Sequence, residues 1–368
     1  MTWLLAFLLG LGEAHALEHS ELTLPPVVYA VEGIPVAIHF ANLVGRERTA
    51  GLAFRVEADV GEADETRWQF APRRRDVGDH ALKIELLNES GTRIGFQETR
   101  VRVSRANAGQ GLSDVKILLV GDSLTDSSLY PEALRKHLVK GDNPPFELVG
   151  SNVNHAFPGV AHDGYGGWTW EQFVSRYRDE PYDAAYPQRG SSPFVRKSPN
   201  GEVGLDMKSY QLDRLGGKVP SVIVVSLGVN DCFGVQVDPA SHIEQCIDDM
   251  LVNADRLIVA FKSQFPEATI AVSLTQPPNS RFGSFASTYK EKRSRAEYLQ
   301  IWHRVVQREL EHFGDPKREV ALLPIGLGLD TVDGFNPNNA LHPNVLGYGQ
   351  MGDAVYAWLK AELTRREE

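Results

Sequence analysis

The chain has 368 residues, 42% hydrophobic and 23% charged, with a formal net charge of -10. That length allows two domains and a well-buried core, and the composition is that of a globular protein. The acidic balance, with no basic stripe to offset it, argues against nucleic acid as a partner. The one dense basic cluster, Arg73-Arg74-Arg75, is followed by Asp76 and reads as a solvated turn.

At the N-terminus, Trp3 to Leu11 is apolar and Ala14-His15-Ala16 has the small-x-small pattern of a cleavage site. Residues 1–16 are therefore expected to be a signal peptide, with Leu17 first in the mature chain, although no Lys or Arg precedes the apolar run. The run is too short to span a bilayer, and no later segment is apolar enough for a transmembrane helix. The mature chain is expected to be secreted or periplasmic, with no integral membrane segment.

Residues 20–105 carry short β-rich runs: Val27 to Val31, Pro35 to Phe40, Leu52 to Val60, Arg67 to Phe70, His80 to Leu87 and Arg93 to Val103. Turn signals such as Glu32-Gly33, Gly61-Glu62 and Asn88-Glu89-Ser90-Gly91 separate most of them, which predicts a small all-β sandwich. Asp76-x-Gly78-x-His80 resembles the Asp-x-Gly-x-Tyr corner of immunoglobulin-like domains, with histidine in the tyrosine's place. Asn88-Glu89-Ser90 is a glycosylation sequon, and it fits a hairpin turn equally well.

Residues 106–113, beginning Ala106-Asn107-Ala108-Gly109, read as a flexible linker. From 114 to 366 strands and helices alternate. Strands are expected over Val115 to Val120, Phe146 to Gly150, Val222 to Leu227, Thr269 to Leu274 and Val320 to Ile325. Helices are expected over Ser127 to Lys140, Pro239 to Phe265, Arg295 to Phe313 and Tyr348 to Leu363. The predicted fold class is α/β, a parallel sheet with helices on both faces, preceded by the β-sandwich. Trp170 to Leu215, rich in Pro, Gly, Ser and Tyr, is expected to form loops around the site.

Ser123, in Val120-Gly121-Asp122-Ser123-Leu124-Thr125, directly follows the first of these strands. A hydroxyl there sits at the carboxyl edge of the sheet, where ligands bind, and beside a helix N-terminus. Serine needs a base to take its proton. Of the eleven histidines, His342 in Leu341-His342-Pro343-Asn344 is the candidate, held extended by the following proline just before the last helix. His155 and His162 lie in the loop leading to Gly167 and read as solvated rather than reactive. Asp122 and Asp231 read as turn-stabilising residues. Cys232 and Cys246 could pair across the loop after Asn230, or remain a free and a buried thiol. No phosphate cradle or metal constellation stands out, so no cofactor is implied.

The order of four blocks, around Ser123, Gly167 in Gly164-Tyr165-Gly166-Gly167-Trp168-Thr169, Asn230 in Gly228-Val229-Asn230-Asp231, and His342, resembles the SGNH (GDSL-type) hydrolase superfamily. The resemblance implies a serine ester hydrolase. In it Ser123 is the nucleophile, His342 the base, and the oxyanion hole is formed by the Ser123 and Gly167 N–H groups with the Asn230 amide. The glycine block looks like that of carbohydrate-deacetylating members, so the expected substrate is an acylated small molecule or polysaccharide, an acetyl ester on a carbohydrate. Tyr165, Trp168 and Trp170 would supply aromatic faces for sugar rings. A lipase, thioesterase or acyltransferase of the same superfamily is the alternative, as is a glycan-binding protein with a degenerate hydrolase domain. The family's usual aspartate three residues before the histidine is Asn339 here. Asn339 is the expected orienter of His342, with Asp333 in reserve.

Overall fold

A long hairpin organises the N-terminal region in the computed structural model, which describes residues 21–46, 51–179 and 189–368. The expected signal peptide, 1–16, lies outside the described residues. The strands of this region are β1 (Val27–Val31), β2 (Val36–His39), β3 (Ala53–Ala58), β4 (Glu62–Ala63), β5 (Arg67–Phe70), β6 (Gly78–Leu87) and β7 (Arg93–Ser104). They form two sheets, β1-β7-β6-β3 and β2-β5-β4. The sheets close on one core, in which Leu82, Ile84, Leu86, Val101 and Val103 meet Ile38, Trp68 and Phe40.

Two sequence-level details explain the turns. Asn88 Oδ1 accepts from the N–H groups of Ser90 and Thr92 and from the Ser90 hydroxyl, so the sequon is an Asx turn closing the β6–β7 hairpin. His80 Nε2 donates to the carbonyl of Asp76 at 2.7 Å, which is the bond a corner tyrosine's hydroxyl would make to the upstream backbone.

The second region is built from β8 (Val115–Gly121), α1 (Ser123–Asp126), α2 (Leu129–Leu138), β9 (Phe146–Val149), β10 (Asn152–Val153), β11 (Ala161–Gly164) and α3 (Trp170–Ser175). A short β12–β13 hairpin (Val195–Lys197, Val203–Leu205), α4 (Met207–Asp213), β14 (Val222–Ser226) and α5 (Ser241–Gln264) follow. β15 (Thr269–Ser273), α6 (Ser284–Tyr289), α7 (Arg295–Phe313), β16 (Ala321–Leu323) and α8 (Val345–Glu367) complete it. β8 is central. β14, β15 and β16 follow it in parallel on one side, and β9 and β11 pair with it in parallel on the other. Both faces are apolar: Leu118, Val120, Ile223 and Val225 pack towards α3 and α5, while Ile117, Leu119 and Val224 pack towards α2 and α8. Burial on both faces accounts for the uninterrupted apolar runs of these strands.

The segment read as a flexible linker is instead packed. Ala108 is buried, its carbonyl accepts from the buried Lys360 Nζ at 2.8 Å, and a Cβ on Gly109 would stand 2.7 Å from Leu363 Cβ. Its small residues permit this close approach to α8, the physical reason a composition-based reading mistook it for a tether. Val31 of β1 also joins the core beneath α2 and α8. Among the described residues no helix is long and apolar enough to cross a membrane.

Candidate active site

Ser123 opens α1 two residues beyond the end of β8. Gly121 is required there, since a Cβ would lie 2.1 Å from Thr125 Oγ1 and 2.7 Å from the Ser226 carbonyl. Asp122 caps the helix, its Oδ1 accepting from Leu124 N–H at 2.9 Å. The other blocks arrive at the same sheet edge: Gly167 after β11, Asn230 after β14, and His342 in the connection from β16 to α8.

His342 Nε2 lies 2.9 Å from Ser123 Oγ across 219 positions of sequence. Burial holds the imidazole below its usual range, so it is neutral at neutral pH and can accept the hydroxyl proton at Nε2. With the hydroxyl as donor in that bond, the ring's own proton is on Nδ1.

Gly167 has φ +78°, a left-handed conformation that suits glycine, and a Cβ built on Gly166 would approach Ser123 Cβ to 4.0 Å. Gly166 N–H donates to Asp126 Oδ2 at 3.2 Å, tying the glycine turn to α1. Asn230 Nδ2 donates to Asp122 Oδ2 at 3.2 Å and to the Trp168 carbonyl at 3.1 Å, which joins the serine, glycine and asparagine blocks. Asp231 Oδ1 accepts from Trp170 N–H at 3.0 Å, a bond to the start of α3 across 61 positions and not the local turn bond expected of it. Burial pushes Asp122 up to about 7 and Asp231 up to about 8.

Three expectations are corrected. Asn339 does not reach the imidazole. Its Oδ1 accepts from the backbone N–H groups of Leu341 (3.2 Å) and His342 (2.9 Å), so it shapes the turn that carries the histidine. A short asparagine side chain two and three residues upstream meets those amides before it can meet the ring. Asp333 is turned outward, its side chain 72% exposed and paired with Arg281 Nη2 at 3.0 Å. Among the described residues no carboxylate accepts from His342 Nδ1, and burial alone accounts for the shift of the ring.

The third correction concerns the aromatics. Tyr165, Trp168 and Trp170 are 1–2% exposed and belong to the core beneath the site, with Trp168 against Tyr165 and Phe173. They fix the glycine block from below instead of facing a ligand, because their apolar area is worth more buried than presented to water. His162 is also internal, bonded to Ser128 Oγ at 2.8 Å and to Gly164 N–H at 3.1 Å, and burial pushes it down to about 4. His155 is exposed, as expected. Cys232 and Cys246 are unbridged, and the Cys246 thiol donates to the Asp231 carbonyl at 3.4 Å.

One exposed aromatic stands apart from the residues predicted for the site. Phe282, 98% exposed, stands on the loop after β15. That loop is stitched to the approach to His342 through Asn279, whose N–H donates to the Ala340 carbonyl and whose Nδ2 donates to Asn339 O. A lone phenylalanine in a Pro-Asn-Ser-Arg loop carries no periodic signal. Val332, Val345 and Leu346, on segments flanking His342, are exposed as well.

The family profile of the GDSL-like Lipase/Acylhydrolase matches residues 117–355. A comparison with curated proteins returned no match. Among solved structures the chain is similar to a Clostridium thermocellum family 3 carbohydrate esterase, at 17% identity and TM-score 0.42, covering 70% of this chain and 100% of that one. It is also similar to the M. smegmatis aryl esterase, at 14% identity and TM-score 0.38, covering 67% of this chain and 99% of that one. With the profile spanning well over half of the residues, from β8 into α8, the chain belongs to the GDSL-like lipase/acylhydrolase family and is a serine ester hydrolase.

Proposed function

We propose that this esterase removes small acyl groups, acetyl above all, from a carbohydrate outside the cytoplasm. The observation that carries its chemistry is the 2.9 Å contact between His342 Nε2 and Ser123 Oγ. Ser123 attacks the acyl carbonyl while His342 takes its proton. The tetrahedral oxyanion rests on the Ser123 and Gly167 N–H groups and the Asn230 amide. Collapse expels the alcohol, which receives the proton from His342, and water then releases the acyl group by the same route. No carboxylate supports Nδ1 among the described residues, so the pair works as a Ser–His dyad.

The glycan reading is supported by the likeness of the Gly-Tyr-Gly-Gly-Trp-Thr block to that of carbohydrate-deacetylating members, and by Phe282, whose open face suits the C–H side of a sugar ring. Export is supported by the apolar Trp3 to Leu11 run and its Ala14-His15-Ala16 site. A second reading, hydrolysis of longer acyl chains, is favoured by the exposed Val332, Val345 and Leu346 flanking His342.

A chain-length series of p-nitrophenyl esters, with acetate release from acetylated polysaccharides, tests the proposal. A kcat/KM highest for acetate, with acetate released from at least one polysaccharide, is expected. A preference rising with chain length would transfer the function to the second reading. Ser123→Ala and His342→Ala should each abolish turnover while leaving the thermal midpoint little changed; wild-type turnover in either would refute the dyad.

A further inference from the structure

The connection from β16 to α8 that carries His342 begins as a guest of the N-terminal β region. Asn42, 5% exposed in the turn Phe40–Leu43 after β2, places Nδ2 at 3.1 Å from the Gly326 carbonyl, 3.2 Å from Leu327 and 2.8 Å from Leu329. One amide with two hydrogens thus serves three carbonyls of a single turn. His39 N–H donates to Leu327 O at 3.3 Å, and the Leu327 side chain enters the sandwich core. A Cβ on Gly328 would stand 3.0 Å from the Ala37 carbonyl, so glycine lets the turn lie directly on β2.

From that anchor the chain runs to the histidine through continuous hydrogen bonds. Asp330 N–H donates to Gln350 Oε1 on α8, and Asp330 Oδ1 accepts from Val332 and Asp333 N–H. Gly334 N–H donates to Asp330 O, Asn344 N–H donates to Gly334 O, and Phe335 bridges Pro343 beside His342. The far end is held by α8, while the near end is held by residues more than 280 positions earlier.

We propose that Asn42 is a positioning residue for the active site: through it the N-terminal β region holds the His342 connection where Nε2 reaches Ser123 Oγ. This rests on the reading of His342 as base. Without the Asn42 amide the Leu329 carbonyl has no donor among the described residues, the Gly326 and Leu327 carbonyls keep only the Leu329 and His39 N–H groups, and the turn is free to shift towards water. A displacement of about 1 Å between reacting groups can lower turnover by about 10²-fold, even when its source is remote.

The test uses the full chain. Asn42→Ala and Gly328→Ala, the second a wedge between the turn and β2, are compared with Ile84→Ala, which loosens the sandwich core without removing a bond to the turn. The readouts are kcat and KM on p-nitrophenyl acetate, the rate of Ser123 labelling by a fluorophosphonate, and the thermal midpoint. Asn42→Ala and Gly328→Ala should lower kcat by about 10- to 100-fold with KM nearly unchanged and slow labelling in proportion. Ile84→Ala should lower the midpoint and keep wild-type kcat below it. Wild-type kcat in a folded Asn42→Ala protein, or an equal loss in Ile84→Ala, would overturn the proposal. If Asn42→Ala fails to fold, Gly328→Ala decides by the same criterion. Wild-type turnover in His342→Ala would remove the base reading itself, an outcome separate from any result with Asn42.

Discussion

Asn230 and Asp122 are joined by a hydrogen bond of 3.2 Å, so the amide proposed to meet the oxyanion is already attached to the residue preceding Ser123. Its second hydrogen serves the Trp168 carbonyl at 3.1 Å. Both donors are therefore held in place before substrate arrives, and one must be shared or released to meet the oxyanion. Preorganised donors contribute through such fixed placement. Asn230→Ala should lower kcat by about 10²–10³ with little change in KM, the loss typical of one oxyanion donor. A rise in KM with kcat unchanged would reassign Asn230 to substrate binding.

Asn339 acts on the backbone, which makes its substitutions diagnostic. Asn339→Asp keeps an acceptor for the Leu341 and His342 N–H groups and should retain activity within a few-fold. Asn339→Ala removes both bonds and should reduce kcat by about tenfold or more through a displaced His342. Asp333→Asn breaks only the exposed pair with Arg281 and should change kcat less than about threefold, since such pairs are worth little. Steady-state kinetics on one ester decide. Collapse of activity in Asp333→Asn would show that Asp333 supports the histidine after all.

Stability should depend on pH through three acids beneath the site. Burial pushes Asp122 up to about 7 and Asp231 and Glu309 up to about 8. Unfolded carboxyls titrate near about 4. Because the folded values are the higher ones, these groups stabilise the fold fully below about 4, and the contribution is lost as pH rises through about 7 to 8. The thermal midpoint should therefore fall between about pH 5 and pH 8. Glu309→Gln resembles the protonated acid beside Thr275 and should flatten that slope. An unchanged slope in this variant would show that Glu309 is ionised in the fold.

The aromatic residues separate by burial. Trp168→Ala should destabilise the fold by about 3–5 kcal/mol, as large-to-small changes in a core do. Phe282→Ala, on a side chain 98% exposed, should leave the thermal midpoint unchanged and raise KM for an acetylated oligosaccharide. The measurement is calorimetry beside acetate-release kinetics. An unchanged KM in Phe282→Ala would remove it from the substrate site.

Local pattern was enough for the main strands and helices of the α/β region, and it singled out Ser123 and His342, which the fold brings within 2.9 Å of each other. Apolar runs such as Val222 to Leu227 predicted buried parallel strands, the periodic stripe of α5 predicted its helix, and Ser123 and His342 were legible as a hydroxyl at a strand end and a histidine before Pro343. β11 was missed because Ala-His-Asp-Gly has neither alternation nor β-branched residues, and it forms only by pairing with the end of β8. Which face an aromatic presents, which atoms Asn339 meets, and whether a glycine-rich segment is loose or packed depend on neighbours far away in sequence. Tyr165, Trp168 and Trp170 are read equally well as platform or core until Phe173 and Tyr210 close over them. Asn42 carries no motif at all. Its part follows from three carbonyls that only the folded chain brings within reach, among them that of Leu329, because a backbone group left unmet within a buried turn must take its donor from whatever packs against it.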